Sequence, residues 1–283
     1  MKHKLLLYAA LLTIAGACSK EKPADPAGKL YPVSFRISGL GVEYAPITKA
    51  SPAPVTFVKY LILNSEGAQL SAKTITVSSE EDLNAEIYVP SGESTVYFAA
   101  GGAGTTGPDD ITLTLEGSDV EIKGDYKEIF AKKVTVNPAT ATEYSAELER
   151  VTGAVELQIL DAGQAPAGQE ITSFGVTFAK KPVYYSLSRG TTAEGSHEAN
   201  LYAVSSVSNG SGIIHVLPAS EQNLYIELYT DVNSPTGKYN SYTVTAAVYK
   251  NRKTIIKGNI YGGTPNFSIT IAEGWGENNE VTF

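Results

Sequence analysis

A glycine-rich motif at residues 102–107 (GAGTTG) is the first stretch whose spacing matches a known chemical site. The GxGxxG pattern binds a dinucleotide when a helix begins directly after it, because the first N–H groups of that helix meet the pyrophosphate. Here Pro108, Asp109 and Asp110 follow, and then comes the run ITLTLEG, whose alternation is typical of a strand. Two acids beside a phosphate would also repel it. The motif therefore predicts a loop between strands.

The three histidines, His3, His197 and His215, are few for metal or acid–base chemistry. His197 lies in a polar, glycine-containing stretch that predicts a loop, and His215 lies in the apolar run GIIHVLP, which predicts a strand. A hydrolase triad needs a serine, a histidine and an acid close in space, but the chain has no GxSxG nucleophile elbow. We therefore expect no catalytic residue, no metal site, no cofactor and no enzymatic activity. A hydrolase stays a minor rival, which would need a cleft that gathers acids or a histidine.

Two acidic clusters, at residues 80–82 and 109–110, could place oxygen ligands for calcium at sheet loops. They lack the DxDxDG spacing of an EF-hand loop. Solvated acids at turns are the favoured interpretation.

The chain's 17 tyrosines and its single tryptophan, Trp275, favour one alternative function, the binding of surface glycans. Sugar rings stack on aromatic faces, and the best candidates are Tyr184, Tyr185 and the stretch from Tyr239 to Tyr249. Tyrosine is also an ordinary strand residue whose hydroxyl end stays in water. The glycan-binding alternative would need several tyrosines, or Trp275, along one exposed platform.

Composition and charge exclude several classes of protein. The chain has 283 residues and a net charge of −8, with only 18% charged residues. Nucleic-acid binding needs clustered Lys and Arg, so we expect no nucleic-acid partner. A single cysteine allows neither an internal disulfide nor a cysteine-rich zinc site. The length predicts two domains or one large β unit.

The N-terminus has the order of a secretory signal: basic residues 2–4, an apolar run at 5–14, and small residues at 15–17. The apolar run is too short for a transmembrane helix, which needs about 20 residues. Small residues directly before Cys18 resemble the lipobox of bacterial lipoproteins. That resemblance implies a signal peptide at 1–17 and a lipid on Cys18 that holds the chain on the outer membrane. The stretch that follows carries charge, Pro and Gly but no large apolar side chain, which predicts a flexible tether at 18–29. The charged start of the tether resembles a surface-export signal of the Bacteroidetes.

Period-two alternation of apolar and polar residues dominates from residue 30 onward, which predicts strands with one buried face. Helical windows are nearly absent; the best, residues 78–86, could form a turn or two. An all-β sandwich follows. The most plausible boundary lies between Tyr144 and Val151, so we predict an N-terminal domain at 30–147 and a C-terminal domain at 148–283. The clearest alternating triplets are Val33/Phe35/Ile37, Ile111/Leu113/Leu115, Val155/Leu157/Ile159, Leu224/Ile226/Leu228, Val244/Ala246/Val248 and Phe267/Ile269/Ile271.

Several landmarks together resemble the fimbrillin superfamily of the Bacteroidetes, which contains lipoprotein pilins and fimbrial anchor or tip subunits. Leu148 and Arg150 form a Leu-x-Arg pattern that precedes a new alternating run. The other landmarks are the lipobox, residues 55–70 (VTFVKYLILNSEGAQL), 95–100 (TVYFAA), 129–136 and 144–159, and the closing stretch 267–283 with Trp275 late in it.

The resemblance implies two tandem transthyretin-like β-sandwich domains and a non-enzymatic structural or adhesive role in surface fimbriae. In this family, shaft subunits are cut in the loop after their first strand, often after Arg, and a strand from a neighbouring subunit fills the opened groove. The partners would be other fimbrial subunits and a host or glycan ligand. In this chain the first strand would span residues 31–40 and the loop 41–54. Lys49 would be the processing residue, or otherwise Arg36; a chain that is never cut would be a base anchor.

Overall fold

The computed structural model describes residues 29–39, 55–102, 104–196, 203–231, 237–262 and 266–272. Within these ranges the chain forms β-strands and three short 3-10 helices, at Glu80–Leu83, Pro108–Asp110 and Ala162–Gln164. The predicted all-β class is confirmed. The turn or two predicted at 78–86 is the first of the 3-10 helices, where the Asp82 carboxylate accepts hydrogen bonds from the Ser78 and Ser79 backbone N–H groups at 2.7 and 2.9 Å.

The strands before residue 151 are β1 (Leu30–Ser38), β2 (Phe57–Asn64), β3 (Gln69–Thr76), β4 (Asn84–Pro90), β5 (Ser94–Gly101), β6 (Thr112–Glu116), β7 (Asp119–Lys123), β8 (Ile129–Val136), β9 (Glu143–Glu147) and β10 (Glu149–Arg150). The later strands are β11 (Gly153–Ile159), β12 (Ser173–Phe178), β13 (Pro182–Ser186), β14 (Thr191–Glu194), β15 (Ala203–Ser206), β16 (Ser211–Val216), β17 (Ala219–Tyr229), β18 (Lys238–Val248), β19 (Lys253–Asn259) and β20 (Asn266–Ile271).

Five sheets are built from these strands. Sheet 1 has the order β4-β1-β9 and sheet 2 the order β10-β8-β5-β2-β3. Sheet 3 is β16-β11-β19-β20, sheet 4 is β15-β12-β17-β18, and sheet 5 is β14-β13-β7-β6. Most pairs are antiparallel, but β1 with β9 and β11 with β19 are parallel.

The alternating apolar residues fill two separate cores. One core lies between sheets 1 and 2 and contains Val33, Phe35, Ile37 and Phe98. The other lies between sheets 3 and 4 and is centred on residues such as Phe174. In β1 the residues of the opposite face meet water, as period-two alternation predicts.

A third core lies on the opposite face of sheet 2, between that sheet and sheet 5. It contains Leu61 and Tyr97 from sheet 2, and Ile122 and Tyr185 from sheet 5. Strands β2 and β5 are therefore buried on both faces, which explains why their sequences are nearly continuous apolar runs. The prediction of one buried face was wrong for these two strands.

Sheet 5 draws strands from both sides of the predicted boundary at 147/148. Strand β7 pairs with β13 through Ile122 with Tyr185 and Glu121 with Ser186. Asp119 reinforces this pair, because its carboxylate accepts hydrogen bonds from the Ser186 hydroxyl and, at 2.6 Å, from the Arg189 guanidinium. The division into two tandem transthyretin-like domains stays a prediction.

A buried ion pair joins the same two parts of the chain. Arg150 Nε donates to Glu128 Oε1 at 2.7 Å, and both side chains are buried, with exposed fractions of 7% and 0%. Arg150 Nη1 also donates to Asn251 Oδ1 at 2.8 Å, and the guanidinium stands 5.1 Å from the Phe130 ring centroid. Arg150 thus has polar partners on both sides of the predicted boundary.

We expect Arg150→Met to lower the free energy of unfolding by about 3–5 kcal/mol, because it leaves the Glu128 carboxylate buried without its main counter-charge. Lys132→Met, which removes a half-exposed partner of Glu149, is the matched control and should cost no more than about 1 kcal/mol. Urea denaturation monitored by circular dichroism measures both.

The double variant Glu128→Gln/Arg150→Met tests whether the two residues contribute to the free energy of unfolding as a coupled pair or independently. We expect it to lose less stability than the two single changes added together, since partners in one ion pair are not additive. Strict additivity would contradict the coupling.

Candidate functional site at the first strand

Strand β1 lies in the middle of sheet 1, with β4 on one side and β9 on the other. It pairs antiparallel with β4 over seven residues, from Leu30 opposite Pro90 to Arg36 opposite Asn84. It pairs parallel with β9 over five, from Ser34 opposite Glu143 to Ser38 opposite Glu147. The predicted first strand, residues 31–40, agrees with the observed Leu30–Ser38, and Leu40 lies outside the described residues.

The inner face of β1 is fully enclosed by the first core. Val33, Phe35 and Ile37 have exposed fractions of 0%, 1% and 3%. The Phe35 ring packs edge-on against Phe98 with centroids 5.0 Å apart, and it stacks on Tyr144 at 5.6 Å. Burying three such side chains contributes roughly 5–9 kcal/mol. Taking β1 away would therefore open a deep apolar groove between β4 and β9.

Gly39 ends the strand against the chain that leaves β9. Its φ of +78° lies in the left-handed region, which favours glycine. A β-carbon at Gly39 would stand 2.2 Å from the Leu148 carbonyl oxygen, and the Leu148 N–H donates to the Ser38 carbonyl at 2.8 Å. Leu148 is also the point where the chain passes from sheet 1 to sheet 2. The Leu-x-Arg landmark thus contains the sheet crossing at Leu148 and the buried ion pair at Arg150.

Of the predicted processing and lipidation residues, the described part of the chain contains Arg36 alone. Its side chain faces solvent, but its backbone lies between Asn84 and Ser145 in the middle of the sheet. A protease binds an extended backbone, so cleavage at Arg36 would require sheet 1 to open first. Cys18 and Lys49 lie outside the described residues.

The described residues of the glycine-rich motif, 102 and 104–107, lie in the predicted loop between β5 and β6. The Asp110 carboxylate closes this loop, because Oδ2 accepts hydrogen bonds from the Thr106 N–H at 2.6 Å and from the Gly107 N–H at 3.2 Å. Those N–H groups are already occupied by a carboxylate, and Lys127 binds the Gly104 carbonyl at 2.7 Å. The hydrogen bond from Thr106 lowers the pKa of Asp110 to about 2, assisted by Gly107 and by the charge of Lys127 against the opposing effect of burial.

The histidines and acids are not gathered into one site in the described ranges. His215 lies on β16, and burial lowers its pKa from 6.5, which favours the neutral ring at neutral pH. His197 lies outside the described residues. No group of three His, Cys, Asp or Glu in the described part of the chain could hold a metal ion, and no helix there is long and apolar enough to cross a bilayer.

The tyrosine candidates separate into buried and exposed members. Tyr185 is buried in the third core and Tyr184 is half-buried. Tyr239 packs against Tyr261, with ring centroids 5.9 Å apart. Among the described tyrosines only Tyr88 and Tyr249 are exposed, by 53% and 47%, and Trp275 lies outside the described residues.

The sequence did not indicate β9 as the second partner of β1, nor Tyr144 as part of the groove wall. The signal was weak, because β9 is the short run EYSAE, in which only Ala146 is fully buried. Glu128 and Asn251 were missed as partners of Arg150, since nothing in local spacing connects positions 22 and 101 residues apart.

Solved structures from Bacteroides share this architecture. A proposed cell adhesion protein from Bacteroides uniformis matches with a TM-score of 0.51 and 13% identity, covering 89% of this chain and 100% of that one. A proposed adhesin from Bacteroides ovatus matches with 0.51 and 13% identity, covering 88% and 94%. The chain has the fold of these two Bacteroides proteins. The sequence resemblance is confirmed at the level of this fold.

A more distant match is a fimbrial assembly protein from Parabacteroides distasonis, with a TM-score of 0.46 and 11% identity over 86% of this chain and 99% of that one. No family model and no curated protein sequence matches the chain.

We expect Phe35→Ala to lower the free energy of unfolding by about 3–5 kcal/mol, because it empties the centre of the groove next to Phe98 and Tyr144. Ser34→Ala, a change on the exposed face of the same strand, should stay within about 0.5 kcal/mol of the original chain. Urea denaturation gives both values. Equal losses would show that β1 is not anchored by its inner face.

Because of the Asp110 carboxylate, part of the free energy of unfolding should depend on pH. Its pKa in the folded chain is about 2, against an ordinary value of 3.8, so its contribution is present above about pH 4 and is lost as the pH falls through 2. Asp110→Asn should therefore lower the free energy of unfolding most at neutral pH, and the difference from the original chain should shrink between pH 4 and 2. Urea denaturation across this range checks it; a difference independent of pH would contradict the closed loop.

Proposed function

We propose that the chain is a non-enzymatic structural or adhesive subunit of a bacterial surface fimbria, assembled by exchange of its first strand. The observation that carries this proposal is the position of β1, which is the first of the described strands and central in its sheet. The fold shared with a proposed cell adhesion protein and a proposed adhesin supports the surface role.

The exchange follows from the groove that β1 occupies. Without β1, β4 and β9 would both present unpaired backbone N–H and C=O groups, and the pocket for Phe35 would face water. Exposed strand edges of this kind accept a strand from another chain. A strand donated head to tail does not close on itself, so repeated donation yields a filament.

Lys49 is the proposed processing residue and Cys18 the proposed lipid attachment site. Cleavage after Lys49 would cut the link between β1 and β2 without breaking any of the described pairs of sheet 1. Cleavage after Arg36 would instead divide β1 itself, between its pairs with β9. A lipid on Cys18 would hold the precursor on the outer membrane until that cut, and an uncut chain would stay there as a base anchor. Other fimbrial subunits are the proposed partners.

We expect brief trypsin treatment of the mature chain to produce a fragment that begins at Ala50 and then associates into higher oligomers. Loss of residues 18–49 removes β1 and opens the groove. N-terminal sequencing identifies the cut, and size-exclusion chromatography with light scattering follows the association. A fragment that begins at Ala50, has lost β1 and stays monomeric would contradict the shaft role.

Two matched variants test the site of the cut. Lys49→Ala should prevent both the fragment and the oligomers, and Arg36→Ala should leave both in place. A synthetic peptide of residues 30–39 should suppress oligomers by refilling the groove, and the same peptide with serine in place of Val33, Phe35 and Ile37 should not.

A further inference from the structure

An open cleft of about 480 Å³ lies beside sheet 5, far along the chain from the first strand. One wall is the β13–β14 hairpin, and the other is formed by the start of β17 and the turn that follows β18. Ligand sites of a few hundred Å³ usually combine an aromatic surface with a few fixed polar groups. This cleft has both, and neither the first strand nor its groove contributes to it.

Glu194 is the fixed polar group of the first wall. Its Oε1 accepts a hydrogen bond from the Ser220 backbone N–H at 2.7 Å, and its Oε2 accepts one from the Ser220 hydroxyl at 3.0 Å. These bonds hold the two walls together and orient the carboxylate. Each carboxylate oxygen has a second lone pair, so Glu194 keeps capacity to accept a hydrogen bond from a ligand hydroxyl. Thr192 lies two residues before it on β14 and also lines the cleft.

Tyr249 supplies the aromatic surface. It is one of two exposed tyrosines among the described residues, and it begins a turn that is closed by a hydrogen bond from the Arg252 N–H to its carbonyl at 3.2 Å. Asn251 anchors this turn, because its N–H donates to the Thr152 carbonyl at 2.8 Å and its side chain accepts from Arg150. The ring therefore stands on a backbone that is ordered before any ligand binds, which reduces the entropy cost of binding.

The charges of the cleft point to an uncharged ligand. The Lys250 amine lies 3.2 Å from Glu149, and the Glu194 carboxylate accepts two hydrogen bonds from Ser220, so both charged groups already have partners within the protein. The apolar lining residues Ala219 and Val248 are buried, with exposed fractions of 6% and 1%, and add little accessible surface for an apolar side chain. A saccharide fits these conditions, since its ring faces stack on an aromatic ring and its hydroxyls bond to carboxylate and hydroxyl oxygens.

We propose that this cleft, formed around Tyr249 and Glu194, binds a neutral saccharide. This inference identifies the class of ligand that an adhesive subunit of the proposed kind would bind. Only the location of the cleft on the cell surface rests on the proposed function. It is separate from sheet 1, so cleavage after Lys49 and strand exchange do not bear on it.

Affinity gel electrophoresis of the uncut chain in soluble xylan, mannan, glycogen and arabinogalactan tests the proposal. We expect at least one of these neutral polysaccharides to retard the chain. Tyr249→Ala should weaken the dissociation constant for that polysaccharide at least about tenfold, the usual loss when an aromatic anchor is truncated. Glu194→Gln should also weaken it, because the amide nitrogen replaces one acceptor oxygen.

Tyr88→Ala is the matched control, because Tyr88 is equally exposed but lies on β4 in sheet 1. It should leave the retardation unchanged, and thermal unfolding of all three variants confirms that they fold. The proposal is overturned if none of the four polysaccharides retards the chain, or if Tyr249→Ala binds as well as the original chain. It is also overturned if the chain binds only peptides, or only an anionic polymer such as heparin. None of these results would alter the outcome of the trypsin experiment.

Discussion

The first strand of the chain is held on three sides: by β4, by β9 and by the core beneath it. A middle strand normally has chain connections at both ends that keep it in its fold. Here β1 is the first strand in the described part of the chain, so a backbone cut after Gly39 would leave it joined to the later strands by non-covalent contacts alone. The same contacts that make β1 a stable part of the sheet also define the shape and the apolar pattern of whatever could replace it. The stability of β1 and the exchange proposed for it would thus both come from one feature.

Sheet 2 and the strands packed behind it have contacts that do not involve β1, so the loss of β1 need not unfold them. Sheet 2 is packed on both faces, and its second face belongs to the core shared with sheet 5. If sheet 1 is opened, β2 and β5 still keep the contacts of Leu61 and Tyr97 on that second face. The ion pair of Arg150 and Glu128 lies beyond Leu148, outside the groove, and is also kept. A groove can stay open only when its floor is supported from behind, and sheet 5 supplies that support.

Local alternation of apolar and polar residues predicted the strands that have one solvent-exposed face, such as β1, β17 and β18, together with the all-β class. It could not predict the third core between sheets 2 and 5, because strands buried on both faces, such as β2 and β5, lack the alternation of apolar and polar residues. Nor could it predict the pairing of β7 with β13, since register between distant strands is decided by tertiary packing. Arg150 was recognised as a landmark, but its partners Glu128 and Asn251 are connected to it only through the fold. Lipidation at Cys18 and processing at Lys49 stay predictions from the sequence.

The sheet shared across the predicted boundary has a mechanical consequence. Two globular units on a free linker would rotate against each other, but β7 and β13 are hydrogen-bonded neighbours, and Asp119 ties their ends through Ser186 and Arg189. The two parts of the chain should therefore move as one stiff unit. If such units are joined end to end as proposed, bending under fluid shear would be confined to the junctions between neighbours, and the spacing of those junctions would set the flexibility of the filament.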